Sequence, residues 1–212
     1  MYIPQSFRET RPEEIEKIMT DFPLGTLVYQ PNGALDATHL PFVYKKDKGE
    51  QGVLLAHVAR NNPIWQQIPN ETEVLIVFHG NDAYISPNWY PTKHETHRHV
   101  PTWDYQVVHV RGRIRFIDNV KFLRASVALL THIHEKRAGE PKPWKLSDGD
   151  KEYISEQLAA IIGVEIAVTD VVGVSKLSQN REQRDWNGVV EGLRNKGEHC
   201  TAEAVLAAKR KP

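Results

Sequence analysis

Four stretches of the 212-residue chain concentrate side chains able to recognise a ligand. "LAHVARNNP" at 55–63 sets His57, Arg60, Asn61 and Asn62 at the end of an apolar run. A cation with several amide donors suits an anionic phosphate, because hydrogen bonds to charged groups contribute about 1.5–3 kcal/mol each. The same residues also describe a polar strand end leading into a helix capped by Asn62 ahead of Pro63. "AYISPNWY" at 83–90 and "VPTWDY" at 100–105 bring Tyr84, Ser86, Trp89, Tyr90, Thr102, Trp103 and Tyr105 close together between prolines. Stiff aromatic surface of this kind stacks on a flat ligand, at about 0.5–1.5 kcal/mol per ring beyond area burial. Its alternative use is to plug a barrel or line a subunit interface. "SKLSQNRE" at 175–182 places Lys176, Ser178, Gln179, Asn180 and Arg181 before a helix, where backbone amides face an anion. A plain helix cap by Ser178 or Asn180 explains one of these residues and leaves the cationic clustering unexplained.

Other candidate chemistry is thinner. "HETHRH" at 94–99 offers His94, His97 and His99, but in a proline-flanked loop without cysteine the geometry for zinc is unspecified, and a solvated loop is expected. His132 and His134 stand two apart on a helical stretch and do not share a face. No metal site is predicted. The chain lacks a G-x-G-x-x-G after a strand, a phosphate-binding G-x-x-x-x-G-K-[ST], a G-x-S-x-G elbow, H-E-x-x-H and C-x-x-C. Nothing resembles a dedicated acid–base pair, so no catalytic residue is assigned.

The elements that must position these stretches follow from periodicity. Thr10-Arg11-Pro12-Glu13 has the form of a capping box, with a helix over 11–20 carrying Ile15, Ile18 and Met19. From Leu24 to Val58 the pattern is strands, broken by a Pro-Asn-Gly turn at 31–33 and a charged turn at 45–51. "EVLIVFHG" at 73–80 and "DAYIS" at 82–86 read as a hairpin across Gly-Asn-Asp. In 105–117, Val108, Val110, Gly112, Ile114 and Phe116 alternate with His109, Arg111, Arg113 and Arg115. Helices are expected over 119–137 and over 148–162, the second capped by Ser147 with Asp150 at its third position. A strand over 164–174, an amphipathic helix over 181–196 and a "KRKP" tail complete the chain. Six or seven strands in meander order, with helices at the periphery, predict a mainly β (α+β) single domain over 1–212, most simply a barrel.

Composition narrows the function. Lysine and arginine total 27, as do aspartate and glutamate, so no global positive field draws in nucleic acid. A single cysteine, Cys200, excludes an internal disulfide and fits a reducing compartment. The first residues have neither the basic nor the apolar part of a signal peptide, and no apolar run approaches the roughly 20 residues of a bilayer span. A soluble cytoplasmic protein without membrane contact is expected.

"MYIPQSF", "LAHVARNNP", "AYISPNWY", "VPTWDY" and "KLSQNR", in that order along nearly the whole chain, resemble the PaiB-type FMN-binding negative transcriptional regulators of bacteria. The "KLSQN" turn is also similar to one in the wider pyridoxamine-phosphate-oxidase-like flavoproteins. The resemblance implies a split β-barrel, a homodimer with FMN between its subunits, and a regulatory role. It places the flavin phosphate and ribityl chain near His57, Arg60, Asn61 and Asn62. It puts rings or subunit contacts around Tyr84, Ser86, Trp89, Tyr90, Thr102 and Trp103, and polar contacts at Lys176, Ser178, Gln179 and Asn180. Asp104 departs from the pattern, standing where asparagine is expected, and brings a negative charge near this site. Two functions follow: an FMN-dependent repressor, with the arginine face and the basic tail as the only candidate surface for promoter DNA, or an FMN-dependent oxidoreductase in which the flavin does the hydride chemistry. A haem-degrading split barrel ranks below both.

Overall fold

The computed structural model describes residues 1–208; the basic tail lies outside the described residues. Among the described residues, eight strands and seven α-helices follow in the order β1 (Arg8–Glu9), α1 (Pro12–Asp21), β2 (Leu24–Tyr29), β3 (Asp36–Pro41), β4 (Val43–Lys45), β5 (Val53–Ala59), α2 (Ile64–Gln67), β6 (Glu73–Ile85), α3 (Pro91–Thr96), β7 (Thr102–Ile117), α4 (Val120–Ala138), α5 (Lys151–Ala159), β8 (Ile161–Lys176), α6 (Gln183–Asn195) and α7 (His199–Ala207). Hydrogen-bonded neighbours run β3-β2-β6-β7-β8-β5-β4, with β1 added on β8. The meander is broken because β6 returns to β2 and β8 inserts between β7 and β5. The register is antiparallel where β2 meets β3 and β6, where β5 meets β4 and β8, and where Arg8 faces Val174.

Several local expectations are corrected. The helix α1 begins as expected with Pro12 in its first turn, but Thr10 does not cap it. Arg11 is the cap residue, and its amide donates to Glu9 Oε1 at 3.0 Å while its guanidinium donates to both Glu9 oxygens at 2.9 and 2.7 Å. Glu9 is fixed in β1 and nearly buried, so its carboxylate reaches the orphan amide before a threonine hydroxyl can. The hairpin across 80–82 does not form. Primed hairpin turns need φ above zero, and Gly80 is not among the positive-φ glycines, so β6 runs straight on to Ile85. Asp150, not Ser147, caps α5, accepting from the Tyr153 amide at 2.9 Å. That helix ends at Ala159 and β8 starts two residues later. Helix α7 is not signalled by periodicity, because its alanine-rich sequence carries little hydrophobic contrast between faces.

The chain divides into two compact units interleaved in sequence. One comprises Met1–Phe22, Phe78–Val108 and residues 172–208; the other comprises Pro23–Val77 and His109–Val171. The core of the first is built from Ile85, Tyr90, Leu177, Val189, Leu193, Ala202 and Val205. In the second, Leu54, Ile76, Ile114, Ile162 and Ile166 are fully buried, with a satellite of Leu123, Ile154 and Leu158. The alternation in β7 holds: Val108, Val110 and Ile114 are buried, and Arg111, Arg113 and Arg115 are exposed. Those arginines are engaged, however. Arg111 lies 3.5 Å from Glu73, Arg115 lies 3.4 Å from Glu71 and 4.0 Å from Glu165, and Arg113 donates to the Glu71 carbonyl at 3.1 Å.

Candidate functional site

In the first unit, the end of β6 and the start of β7 hold an open cleft of about 780 Å³, lined by Asp82, Ala83, Tyr84, Ser86, Asn88, Trp89, Trp103, Lys196 and Glu198. That volume falls within the roughly 300–1,000 Å³ of small-molecule sites. Tyr84 and Trp103 meet edge to face, with centroids 6.0 Å apart and planes at 73°, and they stay 48 % and 55 % exposed. Leaving two large rings this wet costs hydrophobic free energy that burial would recover, which is what a surface kept for a flat partner looks like. The third wall, Trp89, sits in a 3-10 turn over Pro87–Trp89, capped by Ser86 Oγ accepting from the Asn88 amide at 3.2 Å. Lys93 Nζ donates to Asn88 Oδ1 at 3.0 Å and holds the turn from the far side.

Helix α6 pins Trp89 from behind. A Cβ on Gly192 would lie 2.5 Å from Trp89 Cγ and 2.7 Å from Cε2, and one on Gly188 would overlap the Trp89 carbonyl. Both glycines are therefore required by close approach. Their spacing of four places them on one helix face, and "GVVEG" at 188–192 was the sequence signal for this contact. Lys196, Glu198, Asp82 and Asn88, also at the cleft, gave no comparable signal.

Trp103 is held through its backbone. Lys176 Nζ donates to Thr102 Oγ1 at 2.7 Å and to the Trp103 carbonyl, and lies 3.7 Å from Asp104 Oδ1. Asp104 is 1 % exposed; its Oδ2 accepts from Ser178 Oγ at 2.6 Å, and its Oδ1 is buried without a hydrogen bond. Burial pushes the Asp104 carboxyl up, against the Ser178 hydrogen bond and the Lys176 charge. Burial likewise pulls Lys176 down, against the attraction of Asp104. The pair thus carries a net cost for its charges and serves to tie β7 to the end of β8. Gln179 turns inward as well, accepting from the Leu177 amide at 2.7 Å and donating to the Ser175 carbonyl at 2.5 Å. Ser178 adopts φ 57°, and Asn180 alone of this turn's predicted contacts is exposed.

Tyr90 sits in the core of the unit, fully buried, with its hydroxyl unpaired. The Arg181 guanidinium lies 4.6 Å from its ring centroid, and the His99 ring lies 5.0 Å away at a tilt. His99 belongs to a buried clasp. Thr92 Oγ1 donates to Asp185 Oδ2 at 2.6 Å, which leaves the same oxygen to accept from His99 Nε2 at 2.6 Å. The Thr92 amide donates to Asp185 Oδ1 at 3.1 Å, so this clasp fastens α3 to α6. No group of three potential metal ligands occurs among the described residues, and His94 and His97 are exposed.

The 57–62 turn belongs to the second unit. Arg60 donates through Nη1 and Nη2 to Asp118 at 2.8 and 2.7 Å, through Nε to the Ala159 carbonyl at 2.7 Å, and through Nη2 to the Ile161 carbonyl at 3.3 Å. Four of its five N–H donors are thereby engaged. The Asp118 hydrogen bond raises the guanidinium above its ordinary value and lowers Asp118. His57 has a buried Nδ1 without a partner, and burial lowers its pKa, which favours the neutral ring. Asn62 Oδ1 accepts from the Ile64 amide at 3.1 Å, the helix-start role foreseen as the alternative, while Asn61 is exposed. The structure thus brings Tyr84, Ser86, Trp89 and Trp103 to one cleft, puts Thr102, Lys176, Ser178 and Gln179 behind it, and places Tyr90 in the core.

For a flavin the fit is uneven. The aromatic cleft matches a tricyclic ring in size and in its exposed π-faces, whereas the turn's one cation is held by Asp118. Residues 1–170 match the family model described as "Putative FMN-binding domain". The chain is 35 % identical over 196 residues to the protease synthase and sporulation protein PAI 2 of Bacillus subtilis, covering 92 % of this chain and 90 % of that protein. An uncharacterised protein of Emericella nidulans is 30 % identical, covering 93 % and 92 %. Among solved structures, the FAD and haem binding protein of Mycobacterium smegmatis superposes with a TM-score of 0.57 at 14 % identity, over 80 % of this chain and 73 % of that one. The fold shared with such neighbours is the split β-barrel, as expected from the sequence.

Proposed function

The chain belongs to the FMN-binding domain family, with FMN as its cofactor, and on that premise we propose that it is a homodimeric flavin-binding regulator of the PaiB type whose whole length acts as one split-barrel domain. The observation that carries the reading is the pair of half-exposed rings, Tyr84 and Trp103, on a cleft of ligand size. The isoalloxazine is proposed to lie against Tyr84, Trp89 and Trp103, with Ser86 at its edge. Lys176, Ser178 and Gln179 keep the Trp103 wall in place, and Asn180 adds an exposed amide. In the second unit, the 57–62 turn is proposed by itself as an anion contact, where Asn61 is exposed and Arg60 exchanges an Asp118 oxygen for a phosphate oxygen. FMN supplies one- and two-electron chemistry when bound.

Regulation is proposed to run through flavin occupancy and the dimer rather than through the arginine face. A nucleic-acid surface needs cations free to neutralise phosphates. Arg111 and Arg115 are each within salt-bridge distance of a glutamate. The second reading, an FMN-dependent oxidoreductase, is favoured by the openness of the aromatic cleft, which leaves room beside a bound ring for a substrate.

Visible absorbance of purified protein, with flavin released on denaturation, is the expected first result. Replacing Trp103 by alanine should weaken FMN binding by about 2- to 13-fold, the equivalent of one stacking contact. Wild-type affinity in that variant would remove the cleft from the reading. Light scattering should give twice the 24.2 kDa chain mass. A promoter-fragment shift at physiological salt that is lost when Arg111, Arg113 and Arg115 become alanine would restore direct DNA contact. Rapid NAD(P)H oxidation with added FMN would favour the enzyme.

A further inference from the structure

The first unit holds another cleft, of about 550 Å³, that shares no lining residue with the aromatic one. Its apolar walls are Ile18 and Leu177, nearly fully buried, with Phe22 and with Ala204 and Ala207 of α7, whose side chains are too short to fill the space. At one side lie two amides. Asn81 Nδ2 donates to Gln106 Oε1 at 3.3 Å and Gln106 Nε2 donates to Ser175 Oγ at 3.4 Å, both near the outer limit of a hydrogen bond. Each amide can make more bonds than these. Asn81 Oδ1 and one N–H of each amide have no partner among the described residues, although Gln106 is only 7 % exposed. Of the charged residues that line it, Arg11 is committed to Glu9 at 2.7 Å and lies 4.0 Å from Glu14, and Glu203 is paired with Arg194 at 2.9 Å; Lys17, Asp21 and His199 line it as well. A mostly apolar space with spare amide donors and an amide acceptor on one side selects for shape and for a polar edge that both donates and accepts.

We propose that this cleft is a second ligand site, taking a small, mostly apolar, neutral molecule that presents one amide edge to Asn81 and Gln106. The ligand's N–H donates to Asn81 Oδ1 and its carbonyl accepts from Gln106 Nε2, while its body displaces water from Ile18, Leu177 and the alanines of α7. The site is independent of the flavin reading, because no residue is common to the two clefts.

The test uses the full-length, FMN-loaded protein with benzamide as probe, following the side-chain amide signals of Asn81 and Gln106 in ¹H–¹⁵N spectra. Saturable shifts of both signals are expected. Benzoate, which replaces the N–H edge by a charge, should bind about tenfold more weakly or worse. Ala204→Phe, or Ala207→Phe should the first variant not fold, fills the space and should abolish the shifts while released flavin remains at the wild-type amount. Absence of saturable shifts, equal binding of benzoate, or unchanged binding in a folded filling variant would each overturn the proposal. So would binding that appears only after removal of residues 209–212, since the tail would then be the natural occupant.

Discussion

Replacing Gly192 by alanine probes whether helix α6 sets the aromatic cleft. The new Cβ would lie 2.5 Å from Trp89 Cγ and 2.7 Å from Cε2, where relaxed carbon–carbon contacts need about 3.5–4.0 Å. The indole must therefore retreat by about 1 Å, or the helix must lift by as much. Overpacking of this kind costs about 1–3 kcal/mol. Alanine in place of an interior helical glycine returns about 0.8–1.0 kcal/mol. The net destabilisation is then about 0–2 kcal/mol, small enough for the variant to fold, whereas the flavin loses its third wall. FMN affinity should fall by about 2- to 13-fold, the worth of one ring contact.

Flavin fluorescence quenching on titration gives the affinity, and thermal unfolding with and without FMN separates it from stability. A Gly192→Ala protein that binds FMN as the wild type does, with unchanged tryptophan emission, would refute the claim that α6 places Trp89 for the ligand. Gly188→Ala differs in kind. Its Cβ meets the Trp89 backbone carbonyl, which cannot swing away, so this variant should be the less stable of the two.

Three further outcomes follow from the same geometry. Asp104→Asn removes a carboxylate whose folded pKa is raised, so wild-type stability is lost as pH climbs from the unfolded value near 4 through the folded one; the melting temperature of the variant should gain on the wild type over that rise and not below it. His57 has a lowered pKa, so its penalty grows as pH falls below about 6.5, and His57→Gln should flatten the acid side of the stability profile. Arg60→Ala should lower both flavin retention and stability, because it also frees the Ala159 and Ile161 carbonyls, whereas Asp118→Asn should leave retention equal or higher by releasing the guanidinium; a loss of retention in Asp118→Asn equal to that in Arg60→Ala would assign the turn a purely structural role.

The sequence made legible what depends on local chemistry. Alternation in β7 is carried by side chains two apart, and the structure keeps Val108, Val110 and Ile114 in and the arginines out. The aromatic segments read as a stiff wall because prolines fix their backbone, and Tyr84, Trp89 and Trp103 do line one cleft. Partnerships across the chain were hidden. Nothing near Arg60 announces Asp118, 58 residues on, and nothing near Tyr90 announces that its neighbours Thr92 and His99 would be tied to Asp185. Gly80 misled because glycine marks both turns and strands that pass close to a neighbour; here a Cβ would lie 3.0 Å from Gln106 Cβ, and the chain stays extended.

Asp104 shows how the framework and the site depend on each other. An aspartate near an anionic cofactor is repulsive if it faces the ligand, and that was the concern its position raised. The structure instead buries the carboxyl behind the wall, bonded to Ser178 and 3.7 Å from the Lys176 ammonium, which in turn holds the Trp103 carbonyl. The lysine is part-buried, and the carboxylate 3.7 Å away offsets part of the cost of desolvating its ammonium. The aspartate therefore supports the lysine, and the lysine the position of Trp103. Truncating Lys176 to methionine should loosen Trp103 and weaken FMN binding while leaving Asp104 buried and alone. A double variant, Lys176→Met with Asp104→Asn, removes that stranded charge and should recover stability without recovering affinity. Recovery of both together would mean that the pair acts on the fold alone and that the Trp103 wall does not need it.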